Sequence, residues 1–245
     1  PAVPGHSCTA RRVRAELAAA AHDGRPVLVT GPSGSGKEHA VGEVHALSGR
    51  GGRLVRMNVA AVPETLFESE LFGHVRGAFS GALEARPGRV READGGTLVL
   101  DEIGELPGPL QPKLLRLLEE PLIRPVGGKV DIGVDVKFVA ATNADLDRLV
   151  ADGRFRQDLA ARLRSHVVCL TALRERRADL LALADAVAPL PEGRRSWRNV
   201  LAPDAIECLA LHDWPDNLRE LQRVLASVRD VPAPVGLDAL PVRLI

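Results

Sequence analysis

The chain has 245 residues and a mass of 26.2 kDa, room for one domain with a small appendage. Apolar residues make up 45% and charged residues 26%, which supports a sizeable core and excludes disorder and collagen-like repeats. The 32 basic and 32 acidic residues cancel, so a strongly basic nucleic-acid binder and a charged tail are both disfavoured.

The elements follow in chain order. Val13, Leu17, Ala20 and Ala21 recur at helical spacing, and Gly24 stops that helix. Pro26 to Thr30 reads as a short buried strand, followed by a glycine-rich loop and a helix from Lys37 to Leu47. Arg53 to Asn58 is a second strand. Gly96 to Asp101 is a third whose unbroken apolar run suits burial on both faces. A helix over 109–120 turns Leu110, Leu114, Leu117 and Leu118 inward. Val136 to Thr142 and His166 to Leu170 are two further strands. Strands alternating with helices predict a parallel sheet with right-handed crossovers. After Leu170 the strand signal stops. Residues 179–187, 203–211 and 215–228 read as helices, with Pro203 and Pro215 suited to first-turn positions. Residues 189–200 read as a surface loop. The expected division is therefore an α/β nucleotide-binding domain over 1–171 and a helical domain over 172–245.

Three scattered cysteines, Cys8, Cys169 and Cys208, offer neither a disulfide framework nor a CxxC zinc pattern, and read as small buried apolar residues in a reducing cytosol. The seven histidines form no HxxxH pair. No apolar run approaches the ~18 residues of a membrane span and no signal peptide is legible, so a cytoplasmic protein without a membrane partner is expected.

The chemistry concentrates in Gly31-Pro32-Ser33-Gly34-Ser35-Gly36-Lys37, which follows a strand and opens a helix. Glycines let backbone N–H groups converge on phosphate oxygens, the helix start adds positive potential, and Lys37 reaches the β- and γ-phosphates of ATP. A strict pattern asks for Ser or Thr at the next position to hold Mg2+, where this chain has Glu38, so the metal depends more on Asp101, phosphates and water. Asp101 and Glu102 end an apolar strand at the carboxyl edge of the sheet. There Asp101 suits the metal and Glu102 suits the attacking water. Asn143 follows another buried strand and either feels the γ-phosphate or caps the helix from Asp145. Arg156 and Arg162, six apart, do not share a helix face. They are either surface residues or guanidiniums presented to a neighbour's nucleotide. Arg219, on the last helix, is either a link between nucleotide state and lid position or a surface arginine.

These motifs, with Glu68-Ser-Glu-Leu-Phe-Gly-His-Val-Arg-Gly77-Ala78-Phe79-Ser80-Gly81-Ala82, make the chain resemble the central AAA+ ATPase domain of bacterial enhancer-binding proteins, the activators of sigma-54 RNA polymerase. The resemblance runs from about Pro4 to about Val228. It implies a ring, usually hexameric, with ATP and Mg2+ between protomers, and a helical lid. It also implies that Asn58 senses nucleotide and switches Glu102, that Asn143 and Arg219 are sensors, and that Arg156 and Arg162 act in trans. An acidic residue at position 38 is common in the family. Within a contact segment at 74–86, the loop Gly77, Ala78, Phe79, Ser80, Gly81 and Ala82 would touch sigma-54 and transmit a power stroke; without the family, Phe79 tucked into its own core is an equal reading. The chain departs from the pattern at Ser80 (usually Thr), Ala160-Ala161 (usually bulky aromatics), Pro125 (usually Arg) and Asp216 (usually Gly). Relatives carry a regulatory domain and a helix-turn-helix domain that are not legible here, so DNA contact is expected only through a separate domain. Two rival readings are an unfolding or nucleic-acid AAA+ ATPase, which should lack the 77–82 insertion, and a nucleotide-dependent interaction module with weak turnover.

Overall fold

The computed structural model describes residues 3–241, so residues 1–2 and 242–245 of the two expected domains lie outside the described residues. Helix α1 (Cys8–His22) is started by Ser7, whose Oγ accepts the N–H of Ala10 at 3.0 Å. Strand β1 (Val27–Thr30), helix α2 (Lys37–Leu47) and strand β2 (Leu54–Asn58) follow. Helix α3 (Glu64–Phe72) leads into β3 (Gly73–His74), which pairs antiparallel with β4 (Arg86–Pro87). After the single turn α4 (Arg89–Glu92) come β5 (Thr97–Asp101) and α5 (Gln111–Glu119). A small ribbon of β6 (Leu122–Ile123) and β7 (Ile132–Gly133) precedes β8 (Lys137–Thr142). Helices α6 (Leu146–Ala151) and α7 (Gln157–Leu163) lead to β9 (His166–Cys169), and α8 (Leu180–Val187), α9 (Pro203–Leu211) and α10 (Asn217–Val228) complete the order.

The chain divides into two compact units. The larger comprises Glu16–Thr30 and Val41–Val168 and carries the main sheet, in strand order β2-β5-β8-β1-β9. The pairs β2–β5, β5–β8 and β8–β1 are parallel. Residues 97–100 of β5 and all of β8 are buried, in keeping with the apolar stretches Leu98–Leu100 and Phe138–Ala141 at their centres. The core of this unit gathers Phe67, Leu71, Leu98, Leu114, Phe138 and Leu159 from the sheet and its flanking helices. This is a parallel α/β sheet flanked by helices, the class that the alternation of strands and helices predicted.

Lys137 interrupts the apolar pattern of β8 while only 1% exposed. Its ammonium donates to the carbonyls of Ala20 at 2.6 Å and Arg25 at 3.0 Å and to that of Asp23, so three donors meet three acceptors at and just beyond the C-terminal end of α1. Burial pushes its pKa down to about 8, with the Asp23 charge acting in the opposite sense.

The second unit comprises Pro1–Ala15, Gly31–Ala40 and Cys169–Ile245. Its core is built from α8, α9 and α10 around Trp197, Trp214, Leu183, Leu209, Leu221 and Leu225. In α10 the buried positions Leu218, Leu221, Val224, Leu225 and Val228 follow the helical repeat.

Three sequence readings are corrected. Residues 189–200 are no surface loop throughout: Trp197 and Val200 are fully buried. The indole Nε1 reaches the Ala188 carbonyl at 3.4 Å, and Asp185 holds the turn through Ser196 Oγ and the N–H of Trp197. Burying an indole outweighs the Pro/Gly composition of the segment, since truncating such a side chain costs about 3–5 kcal/mol. Pro215 precedes α10 and is not in its first turn, because Asn217 opens the helix at φ 52°, with its side chain hydrogen-bonded to other segments. Cys8 and Cys169 are exposed, since their positions on α1 and β9 lie outside both cores, and Cys208 is only half-buried, packed on α9 against the rim of the second core.

Candidate functional site

The phosphate loop leaves β1 at Gly31 and ends where Lys37 opens α2. Gly34 and Gly36 take φ of 72° and 102°, the left-handed region that glycine enters without a Cβ penalty. Three successive loop carbonyls are held within the same unit. Asn217 Nδ2 donates to Ser33 O at 2.9 Å, the N–H of Leu218 to Gly34 O at 2.9 Å, and Arg176 Nη2 to Ser35 O at 2.7 Å. Peptides tied by their carbonyls present their N–H groups elsewhere, the arrangement of an anion-binding nest. Lys37 Nζ donates to Gly31 O at 3.0 Å and, longer, to Pro32 O at 3.4 Å, which curls the ammonium over its own loop. Arg219 Nη1 lies 3.3 Å from Ser33 Oγ. Pro32, Ser33 and Glu38 are exposed, whereas Ser35 is buried. An apolar cleft lined by Val3, Pro4, Gly36, His39, Leu170 and Leu218 flanks the loop.

In the sheet-bearing unit, Asn58 is in register with Asp101, and Asp101 with Ala141. The carboxyl ends of β2, β5 and β8 thus bring Asn58, Asp101, Glu102 and Asn143 to one edge, where Thr30 of β1, in register with Thr142, also ends. Glu102 is held at φ 54°, ψ 47°, a conformation uncommon for a side-chain-bearing residue, and its N–H donates to Asp101 Oδ1 at 3.0 Å. Asn58 caps the short turn Val59–Ala61, its Oδ1 accepting the N–H of Ala60 at 2.9 Å. The helix-cap alternative for Asn143 is closed, because Asp145 caps α6 through the N–H groups of Asp147 and Arg148. Among the described residues no group of three or more His, Cys, Asp or Glu could hold a metal alone. A lone half-buried Asp101 fits the way Mg2+ is held by one carboxylate, substrate phosphates and water.

Arg156 immediately precedes α7 and Arg162 lies in its last turn. Arg156 clasps Asp158 through Nε at 3.0 Å and Nη2 at 2.7 Å. This pairing raises the guanidinium's proton affinity and lowers that of the carboxyl. Arg162 donates from Nη2 to Leu118 O at 2.9 Å and from Nε, more loosely, at 3.3 Å. The backbone at Arg156 is set by Gln111, a buried amide whose Oε1 accepts the Arg156 N–H at 2.8 Å while Nε2 donates to Leu106 O and Arg154 O. Sequence reading passed over Gln111, although a polar residue three before Leu114 on an inward helical stripe was a signal. It also passed over Asn217 and Arg176, whose partners are remote in sequence.

The loop 77–82 is closed by the Gly77 N–H on Ala82 O at 2.8 Å and the Ala82 N–H on Phe79 O at 3.0 Å. Phe79 is 41% exposed, so the tucked-in alternative is not what the fold adopts. Its ring meets His74 edge-on at 5.1 Å, and His74 Nδ1 pairs with Ser69 Oγ at 2.8 Å. Ser80 is exposed and Ala82 is buried. Leu83, 82% exposed, and Leu66 line an open cleft with Phe79.

Residues 3–169 match the family described as the sigma-54 interaction domain. The chain is 45% identical over 248 residues to the Nif-specific regulatory protein of Azotobacter vinelandii, covering 96% of this chain and 47% of that protein. It is 44% identical over 250 residues to the transcriptional regulatory protein ZraR of Salmonella typhimurium, covering 98% and 57%. Among solved structures, NtrX from Brucella abortus superposes with a TM-score of 0.81 at 33% identity, over 98% of this chain and 56% of that one. NtrX has also been solved with ATP and with ADP, both at 32% identity to this chain. The chain spans about half the length of the curated relatives it matches.

Proposed function

This chain belongs to the sigma-54 interaction domain family, the AAA+ ATPase domain of sigma-54-dependent activators, and from that premise we propose that it hydrolyses ATP to remodel sigma-54 RNA polymerase holoenzyme. ATP lies with its phosphates on the amides of Gly31–Lys37, and Lys37 swings from its own carbonyls to the β- and γ-phosphates. Asp101 would hold Mg2+, which would supply charge neutralisation on the phosphates. Glu102 orients and polarises the attacking water, and ADP and phosphate leave. The left-handed backbone of Glu102, and the register of Asn58 with the preceding Asp101, support a switchable carboxylate. Asn143 and Arg219 sense the γ-phosphate and couple it to the helices of the lid. Arg156 and Arg162 serve a neighbouring protomer's nucleotide in a ring, taken as hexameric. The loop 77–82 contacts sigma-54 through Phe79, DNA is met through another domain, and the protein works in the cytoplasm. Among the described residues no helix is long and apolar enough to cross a membrane. In functional terms residues 1–171 are the nucleotide-binding part, with the contact segment at 74–86, and 172–245 the lid.

The observation that carries this reading is the phosphate loop, with left-handed Gly34 and Gly36 and three consecutive anchored carbonyls at the start of α2. The ATP and ADP complexes of NtrX support it. Titration of a fluorescent ATP analogue tests it: Lys37→Ala should lose affinity, and unchanged affinity would overturn the assignment. Turnover per protomer should also rise with protein concentration, as shared sites require, and a flat profile would favour the interaction-module reading.

A further inference from the structure

Arg176 is 6% exposed, an unusual place for a guanidinium, which cannot shed its proton. It sits where the 3-10 turns of Leu173–Asp179 break, at φ −131° and ψ 40°. Its Nη2 donates to Ser35 O of the phosphate loop at 2.7 Å. Among the described residues its Nε and the buried hydroxyl of Ser35 have no hydrogen-bond partner. Burial opposes the charge on Arg176, and the carboxylate of Asp179, itself 1% exposed, supports it.

Asp179 is committed on its other side as well. Its Oδ1 accepts the N–H groups of His6 and Ser7, each at 2.9 Å, and its Oδ2 accepts the Ser7 hydroxyl. The same Ser7 Oγ caps α1 through Ala10. A Cβ at Gly5 would collide with this carboxylate, so the segment lies directly against it. Arg14 Nη1 fixes the segment again through Val3 O at 2.7 Å and Gly5 O at 2.9 Å. An apolar residue at 176 would pack here without the desolvation cost of a charge, so holding the fold together does not by itself account for an arginine.

We propose that Arg176 is a positioning residue for the phosphate loop, and that the kinked segment Leu173–Asp179, which holds Ser35 O through Arg176 and the amides of His6 and Ser7 through Asp179 three residues on, joins the two as a relay. Nucleotide on the loop and the conformation of the segment before α1 then bias each other, because any such coupling is reciprocal. The relay rests on the reading of Gly31–Lys37 as an ATP-binding loop, whereas the tie at Ser35 can be tested without nucleotide.

The experiment is amide hydrogen exchange on the whole chain, with and without a non-hydrolysable ATP analogue, for wild type, Arg176→Met, Arg176→Lys and Asp179→Asn. Without nucleotide, Arg176→Met should exchange about ten-fold faster or more over residues 33–37, as loss of a hydrogen bond to a charged group predicts, while exchange in β5 and β8 is unchanged. Arg176→Lys, which keeps the charge but loses the planar fork, should fall between the two. In wild type the analogue should slow exchange at His6 and Ser7. In Asp179→Asn, which retains an acceptor oxygen but no charge, that slowing should disappear. The Kd for the analogue should rise about ten-fold in Arg176→Met, with kcat at saturation little changed. Wild-type exchange at 33–37 in apo Arg176→Met overturns the positioning role. Full nucleotide-dependent protection of His6 and Ser7 in Asp179→Asn overturns the relay. Should Arg176→Met not fold, Arg176→Lys is read by the same criterion at 33–37. A wild type that binds no nucleotide overturns the relay together with the ATP-loop reading, and the apo exchange still judges the tie at Ser35.

Discussion

The two glycine-rich loops of this chain use glycine for different reasons. In the phosphate loop, a Cβ on Gly31 would come within 2.6 Å of Leu170 O, and one on Gly34 would overlap the backbone of Asp216. Those glycines admit close backbone approach as well as left-handed φ, and the loop they form is anchored at three carbonyls. In the loop 77–82, Gly77 and Gly81 also take positive φ, at 79° and 106°, yet a Cβ on either would meet nothing within 4 Å. The loop proposed to hold phosphates in one geometry is fixed from outside. The loop proposed to meet sigma-54 instead leaves its two glycines unopposed and its Phe79 exposed, with one edge of the ring on His74.

The sharpest way to break that contrast is through turnover. Arg162→Ala should lower ATP hydrolysis by ~10³-fold while nucleotide still binds, and mixing it with Lys37→Ala should restore part of the activity, because one complete composite site can then form. Mixtures as inactive as either variant at every ratio would remove the trans role. Glu102→Gln should cost ~10²–10⁴ in kcat and spare binding. Next in size, Phe79→Ala should leave basal ATPase near wild type and weaken the complex with sigma-54 by ~30-fold or more, as a hot-spot aromatic does. A gel shift in the presence of a transition-state analogue reads this, and wild-type binding would mean that the exposed ring is not the contact.

A third comparison sets glycine against glycine by thermal unfolding. Gly81→Ala should cost only the left-handed strain, ~1–2 kcal/mol, whereas Gly34→Ala adds the overlap with Asp216 and should cost distinctly more, with loss of nucleotide affinity. Equal costs would erase the distinction. The smallest effect is at Ser80. Ser80→Thr restores the usual methyl, and if that methyl is buried on binding, the sigma-54 complex should tighten by ~4-fold, the worth of about 0.8 kcal/mol.

The parts of this molecule legible in the sequence are those whose signal is local. The phosphate loop, the apolar runs of β5 and β8, and Asp101-Glu102 after a strand each lie within a few residues, and the sheet follows from their alternation with helices. What anchors the phosphate loop was not legible, because Asn217 and Arg176 reach Ser33 and Ser35 across 184 and 141 positions, a pairing that only the folded chain creates. Trp197 escaped for a related reason. Its segment has the composition of a loop, and the indole's burial depends on Leu183, Leu209 and their neighbours being assembled first. The environments of Cys8 and Cys169 were misread because residue type carries only an average burial, whereas position on an element decides it.

The order of strands in the sheet has a consequence for how the chain is made. Strand β2 finds β5 once residue 101 has emerged, so that pair can form early. Strand β1 comes first in the chain, but its neighbours are β8 and β9, and Val27 waits for Val139. During synthesis from the N-terminus, the strand that launches the phosphate loop therefore stays unpaired while everything between it and β8 is added. A chain stalled before Lys137 would hold a paired β2–β5 beside an orphan β1, with its apolar residues Val27, Leu28 and Val29 in water. Closing so long a loop is slow, and nascent-chain length, more than final stability, governs how long that apolar strand remains open to wrong partners.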